Sequence, residues 1–228
     1  MKKHIPNLLT CLNLFSGCIA VLMALQGNIQ VVTICVFASG IFDFFDGMVA
    51  RLLHVKSPIG KELDSLADMV SFGFLPGTIM FTLLTKVFPD GSLLPYLGYI
   101  ITVFSALRLA KFNLDERQTS DFIGLNTPMN TFYVLSLPYI ADKYPQLVLN
   151  PIVLIVSILL TSYLLVSEIR LFSMKFSSMD WKTNKFRFIF LILTLILFIV
   201  GQFMALPIIL VLYFLLSALH FNKKNDLV

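Results

Sequence analysis

Four aspartates, Asp43, Asp46, Asp64 and Asp68, interrupt sequence that otherwise reads as hydrophobic helix. A carboxylate placed in hydrocarbon costs about 2.5–3.5 kcal/mol on insertion scales, so four together require a reason. At about 100° per residue, Asp43, Asp46, Gly47 and Ala50 share one face of a helix. Gly60, Asp64 and Asp68 recur every four residues and make a second stripe. The intervening LLHVKSP is long enough to turn back, so the two stripes can face each other across a water-reached cavity. Four converging carboxylates repel, and Arg51 is only one counter-charge. Hard oxygen ligands on rigid helices suit Mg²⁺ or Mn²⁺, with substrate phosphates and water completing the coordination. Small residues beside such a site let a ligand approach the backbone. The pattern alone also admits a solvated loop, intramembrane ion pairs, or acids lining an ion or proton path. Such a path calls for acids deeper in several segments, and the last three apolar segments carry almost none.

The elements that must position these acids are membrane helices. The chain has 228 residues, 57% hydrophobic and only 13% charged, whereas a soluble domain is about 25% charged. Eight apolar segments are expected, near 8–26, 29–53, 58–86, 92–112, 127–141, 148–170, 186–200 and 203–219, the fifth, seventh and eighth being short for a span of about 20 residues. Turn chemistry at Gly27-Asn28, Ser57-Pro58, Pro89–Ser92 and Asn150-Pro151 separates several of them. With the N-terminus inside, 15 of the 17 Lys and Arg fall on the inner side and only Lys86 and Lys143 outside. That asymmetry orients the chain, with both termini cytoplasmic. The acids then sit near the cytoplasmic face, where desolvation is milder. The opening MKKHIPNLLT leads into an apolar run without a small-residue cleavage site, so the first helix is expected to remain as an anchor. Cys11, Cys18 and Cys35, and His4, His54 and His220, lack metal-ligand spacing. Charge gathers at segment ends, and no nucleic-acid partner is expected.

Written out, the acid region is Asp43-x2-Asp46-Gly47-x2-Ala50-Arg51-x8-Gly60-x3-Asp64-x3-Asp68. It resembles the signature of the CDP-alcohol phosphatidyltransferases at every fixed position. IPNLLTCLNLFSG, ADMVSFGFLPG, RLAKFN, FIGLNTP and SEIRLFSMKF look like the phosphatidylserine synthase branch of that family, and together they extend over 6–176. Where relatives of that branch often have Arg and Pro, this chain has Lys111 and Asn126.

The resemblance implies an all-α polytopic membrane bundle of about eight helices with a polar cavity open to the cytoplasm. It implies one membrane domain over 1–228, with a core at 6–176 and two further spans at 177–228 that read as packing. Two divalent cations, Mg²⁺ or Mn²⁺, would be held by Asp43, Asp46, Asp64 and Asp68, with Asp68 also the general base. CDP would be bound by Asn7, Thr10, Asn13, Asp43, Asp46, Gly47, Ala50, Arg51, Gly60 and Asp64. The partners would be CDP-diacylglycerol, L-serine, membrane lipids and a second copy of the chain, in a bacterial inner membrane. Arg108, Lys111 and Asn113 end the fourth segment on the acidic side. An arginine fork suits a carboxylate or phosphate, which makes them candidates for serine or the lipid phosphate. Positive-inside anchoring is the plainer reading of the same residues, and ion pairing that of Glu168 and Arg170.

Overall fold

The structure, a computed structural model, describes residues 4–55, 57–115, 121–174 and 180–225, excluding the side chains of 182, 183 and 223–225. It is helical, as expected. Helix α1 (Ile5–Leu25) and α2 (Ile29–Leu52) form a hairpin; α3 (Pro58–Asp68) runs through a π-helical turn (Met69–Phe74) into α4 (Leu75–Thr85). A 3-10 turn (Leu94–Tyr99) leads into α5 (Ile100–Leu114), followed by β1 (Phe122–Ile123), α6 (Thr127–Lys143), the short α7 (Pro145–Val148) and α8 (Pro151–Val166). β2 (Arg170–Leu171), α9 (Trp181–Gly201), a 3-10 turn (Gln202–Ala205) and α10 (Leu206–Asn225) complete the chain.

Local chemistry sets the helix starts. Side chains of Asn28, Ser57, Asn126 and Asn150 accept from Val31 N, Gly60 N, Met129 N and Ile152 N respectively. Each satisfies an otherwise orphaned donor of a first turn. The π-helical turn has a cause too. Pro76 has no N–H to offer Phe72 O, and Leu75 N–H reaches back to Val70 O. Thr131 on α6 donates to Phe72 O (3.0 Å) and Thr102 on α5 to Gly73 O (3.1 Å). Hydroxyls of neighbouring helices thus serve the backbone that proline disturbs, as a non-aqueous surrounding requires.

Among the described residues, five helical stretches are long and apolar enough to cross a membrane: Ile5–Leu25, Ile29–Leu52, Pro58–Thr85, Leu94–Leu114 and Asn184–Asn222. The last, of 39 residues, folds back on itself. Gln202 has φ 48°, and the rings of Phe186 and His220 (5.7 Å) and of Phe190 and Tyr213 (5.3 Å) meet across an antiparallel pair. Helices α6 (17 residues) and α8 (16 residues) are shorter than a full span. Outward faces carry exposed Phe15, Ile34, Phe44, Ile152 and Val200, which suits lipid contact. One core packs Phe72, Leu75, Met80 and Leu83 against α1, α2, α5, α6 and α8; a second joins Leu171 and Phe172 to α9 and α10.

The bundle has two distinct ends. Arg51, Lys61, Arg108, Lys111, Arg170, Lys185 and Arg187 lie toward the end that holds the acids, while Lys86 and Lys143 lie toward the other. Lys2, Lys3, Lys56, Arg117 and Lys175 lie outside the described residues, as do the side chains of Lys182, Lys223 and Lys224. One element was not expected. Phe122 pairs with Leu171 and Ile123 with Arg170 in a two-residue antiparallel ribbon. No alternating pattern announces so short a pairing between distant segments.

Candidate active site

The helical periods deliver the two acidic stripes, and packing of α1 against α2 and α3 brings them together. Asp43, Asp64 and Asp68 each offer a carboxylate oxygen, all within 4.8 Å of one another. Asp46 is set differently. It is buried, and Thr10 Oγ1 donates to its Oδ2 at 2.6 Å. Asn13 Nδ2 donates to Asp68 Oδ1 at 3.1 Å. Two polar residues of α1 therefore hold one carboxylate from each acidic stripe. Asn13 is itself fixed, because Ser39 and Ser71 both donate to its carbonyl oxygen (3.2 and 3.1 Å).

Beside the acids lies a cavity of about 280 Å³ whose lining includes Asn7, Thr10, Asp46, Gly47, Ala50, Gly60, Lys61 and Asp64. Its small residues are there for room. A Cβ at Gly60 would stand 3.1 Å from Asn7 Oδ1, and one at Gly47 would stand 3.6 Å from Arg51 Nη1. Arg51, Asn13, Asp43 and Asp68 are not part of its lining. Three hard carboxylate oxygens converging at this distance fit a divalent cation.

A second cavity, also about 280 Å³, is lined by Arg108, Lys111, Asp115, Ile123, Ser167 and Glu168 among others. Arg108 is only 4% exposed. Its Nε donates to Leu125 O (3.2 Å), and its guanidinium carbon stands 5.0 Å from the centre of the Phe112 ring. Gly124 makes that wall possible: its φ is 75°, and a Cβ would stand 2.8 Å from the carbonyl oxygens of Leu165 and Ser167. The Thr102–Gly73 and Asn113–Ser65 hydrogen bonds run α5 antiparallel to α3 and the π-helical turn, which puts Arg108 at the depth of Asp68.

Comparison with known proteins bears on this arrangement directly. The family model described as CDP-alcohol phosphatidyltransferase matches residues 3–221. The chain belongs to the CDP-alcohol phosphatidyltransferase family. It is 34% identical over 236 residues to a CDP-diacylglycerol–serine O-phosphatidyltransferase of Helicobacter pylori strain 26695, covering 97% of this chain and 96% of that one. The Bacillus subtilis protein of the same name is 36% identical over 126 residues, 55% of this chain and 70% of its own. An archaetidylserine synthase of Methanothermobacter thermautotrophicus is 30% identical over 159 residues, 68% of this chain and 66% of its own.

Within this phosphatidyltransferase most of the expected site residues fall in two groups. Asn7, Thr10, Asp46, Gly47, Ala50, Gly60 and Asp64 share the first cavity, while Arg108 and Lys111 share the second. Asn113 joins neither lining: its side-chain amide donates to Ser65 Oγ at 2.8 Å, and its backbone carbonyl oxygen accepts from Lys61 Nζ at 3.0 Å. Lys61 was counted in the sequence only as a topogenic charge, yet it lines the first cavity. Its place one residue after Gly60 was the available signal.

Proposed function

We propose that this protein transfers the phosphatidyl group of CDP-diacylglycerol to the hydroxyl of L-serine, giving phosphatidylserine and CMP. The observation that carries this reading is the convergence of Asp43, Asp64 and Asp68 within 4.8 Å beside a cavity with Thr10, Asp46, Gly47 and Gly60 in its wall. Whole-chain similarity to the Helicobacter enzyme supports it.

The donor set suits two divalent cations, Mg²⁺ or Mn²⁺, held by Asp43, Asp64 and Asp68 with Asp46 adjoining. When bound, such ions neutralise charge on the transferring phosphoryl group and on CMP. The chain's own groups do the rest. Asn7, Thr10, Gly47, Ala50, Arg51 and Gly60 hold the CDP portion, and Lys61 adds a cation to the same wall. Asn13 fixes Asp68 through Oδ1, which leaves Oδ2 to take the proton of the serine hydroxyl. The hydroxyl oxygen bonds to the lipid-side phosphorus, the bond from that phosphorus to the bridging oxygen breaks, and CMP departs.

The carboxylate and ammonium of serine lie in the second cavity, with its hydroxyl directed toward Asp68. Arg108 and Lys111 there face an ensemble that also contains Asp115 and Glu168. Both charge signs suit an amino acid's carboxylate and ammonium better than an acceptor phosphate, which favours serine over glycerol 3-phosphate or inositol phosphate. Asn113 supports α3 rather than the acceptor.

All eight long helical segments cross the membrane, the short α6 and α8 with local thinning or adjustment of the bilayer. The charge asymmetry supports an orientation with the acid end and both termini in the cytoplasm, and the membrane of this reading is a bacterial inner membrane. The chain works as a homodimer, as its family resemblance implies. The test is CMP release from CDP-diacylglycerol by a membrane preparation, with and without serine and with a chelator. Serine-dependent, chelator-sensitive release is expected. Release driven equally by glycerol 3-phosphate would overturn the acceptor, and divalent-ion uptake without CMP release would favour a transporter.

A further inference from the structure

Helices α9 and α10 follow the segments that carry the family's motifs, and sequence assigns them only packing. Three of their polar side chains, Arg187, Tyr213 and Ser217, nonetheless reach the residues that flank the β1–β2 ribbon. Arg187 of α9 donates through Nε to Ser173 O (2.7 Å) and through Nη1 to Asn184 Oδ1 (2.7 Å), and its Nη2 stands 3.5 Å from Asp121 Oδ1. Ser173 N also faces Asp121 Oδ1 at 3.5 Å. From α10, the buried Tyr213 hydroxyl donates to Phe172 O (2.7 Å), and Ser217 Oγ accepts from Phe172 N (3.4 Å). Phe172 is wholly buried against the rings of Phe190 and Tyr213.

A ribbon of two residues per strand cannot hold its own shape, since even a full isolated hairpin is marginal in water. This one contributes Ile123 to the wall of the second cavity. Ile123 and the chain just before β2 line that cavity, Gly124 N–H donates to Ile169 O (2.8 Å), and Leu125 O accepts from Arg108. The ribbon therefore runs into the carbonyl that Arg108 meets, which Leu125 N–H also ties to Leu164 O of α8 (2.8 Å), and the residues that follow β2, Phe172 and Ser173, are bonded to α10 and α9.

We infer that Arg187 and Tyr213 are positioning residues for the acceptor site: the C-terminal hairpin clamps Phe172 and Ser173, and through the β1–β2 ribbon fixes the Leu125 carbonyl that orients Arg108. The inference rests on the assignment of serine to the Arg108 cavity. It distinguishes this hairpin from lipid-facing filler, because its consequence is selective for one of two substrates.

The experiment compares the purified full-length wild type with Tyr213→Phe, Arg187→Lys, Arg187→Gln and Arg108→Lys. It measures the KM for serine, the KM for CDP-diacylglycerol, kcat and the thermal midpoint in detergent. Tyr213→Phe removes one hydroxyl and no bulk, so it tests position with little risk to folding. A buried hydrogen bond contributes about 1 kcal/mol, so about a fivefold rise in serine KM is expected. The KM for CDP-diacylglycerol should change less than twofold. Arg187→Gln should exceed Arg187→Lys, which keeps the charge beside Asp121 but loses the fork. A lowered midpoint with serine KM unchanged in all three hairpin variants would make the hairpin structural only and overturn the inference. Equal changes in both KM values would overturn it as well. If Arg108→Lys raises serine KM while the hairpin variants do not, this inference fails and the acceptor site stands. If Arg108→Lys leaves serine KM unaltered, the acceptor site itself is wrong, and the inference falls with it.

Discussion

Replacing Asp68 by Asn separates the two tasks assigned to its carboxylate, because its effects on stability and turnover have opposite signs. In metal-free protein Asp43, Asp64 and Asp68 place like-charged oxygens within 4.8 Å. At that separation and an effective dielectric of 20, each fully ionised pair repels by about 3.5 kcal/mol. Solvent screening and relaxation of the side chains reduce the realisable relief to about 1–2 kcal/mol. The introduced amide can still accept from Asn13 Nδ2 through its oxygen, so the 3.1 Å hydrogen bond to α1 need not be lost. With excess chelator the variant should therefore melt above the wild type, by about 2–8 °C at about 2–4 °C per kcal/mol. Excess Mg²⁺ or Mn²⁺ should reverse the order, because wild type then gains more from the ion. In the CMP-release assay the variant should lose about 10²–10⁴ in rate, the usual contribution of a general base, while CDP-diacylglycerol binding survives through the remaining ligands. Equal melting temperatures in chelator would refute the clustering argument. Turnover within a few-fold of wild type would refute the role as base.

Asp64→Ala should abolish transfer even in excess metal, and Ca²⁺ should replace Mg²⁺ poorly; near-normal CMP release in either experiment contradicts the metal assignment. Thr10→Val removes the 2.6 Å hydrogen bond to buried Asp46 but keeps the side chain's shape. A bond to a charged group is worth about 1.5–3 kcal/mol, so the KM for CDP-diacylglycerol should rise at least about tenfold, and an unchanged KM would exclude Asp46 from substrate binding. Gly17→Ala puts a Cβ 3.0 Å from Ser71 Cα and closer still to its hydroxyl. Overpacking of this kind costs about 1–3 kcal/mol and would shift the helix end that carries Asp68; a thermal midpoint equal to wild type would show that α1 can retreat. In a cysteine-free background, cysteines at positions 90 and 144 should react with an impermeant reagent outside intact cells, and one at 115 should not. Strong external labelling at 115 would invert the topology.

Sequence alone determined what depends on local repetition. The spacing of Asp43 and Asp46, and of Gly60, Asp64 and Asp68, fixes two acidic stripes wherever those segments are helical, because 3.6 residues per turn is a property of the backbone. Capping residues such as Ser57 and Asn150 mark helix starts by the same local logic, and the placement of Lys and Arg already divides the two ends of the bundle. Tertiary structure decided what depends on how each helix is rotated and how deep it sits. It selected Asp43, Asp64 and Asp68 as the converging set and gave Asp46 to Thr10, a partner 36 positions away. It turned Asn113 toward Ser65, 48 positions back, although Asn113 stands only five residues beyond Arg108. It also joined Arg187 to Asp121 across 66 positions, tying a helix that carries no motif to the segment that leads into β1. None of these pairings has a period to betray it. Each follows from which faces of the helices can be buried together, a choice made by the whole bundle at once.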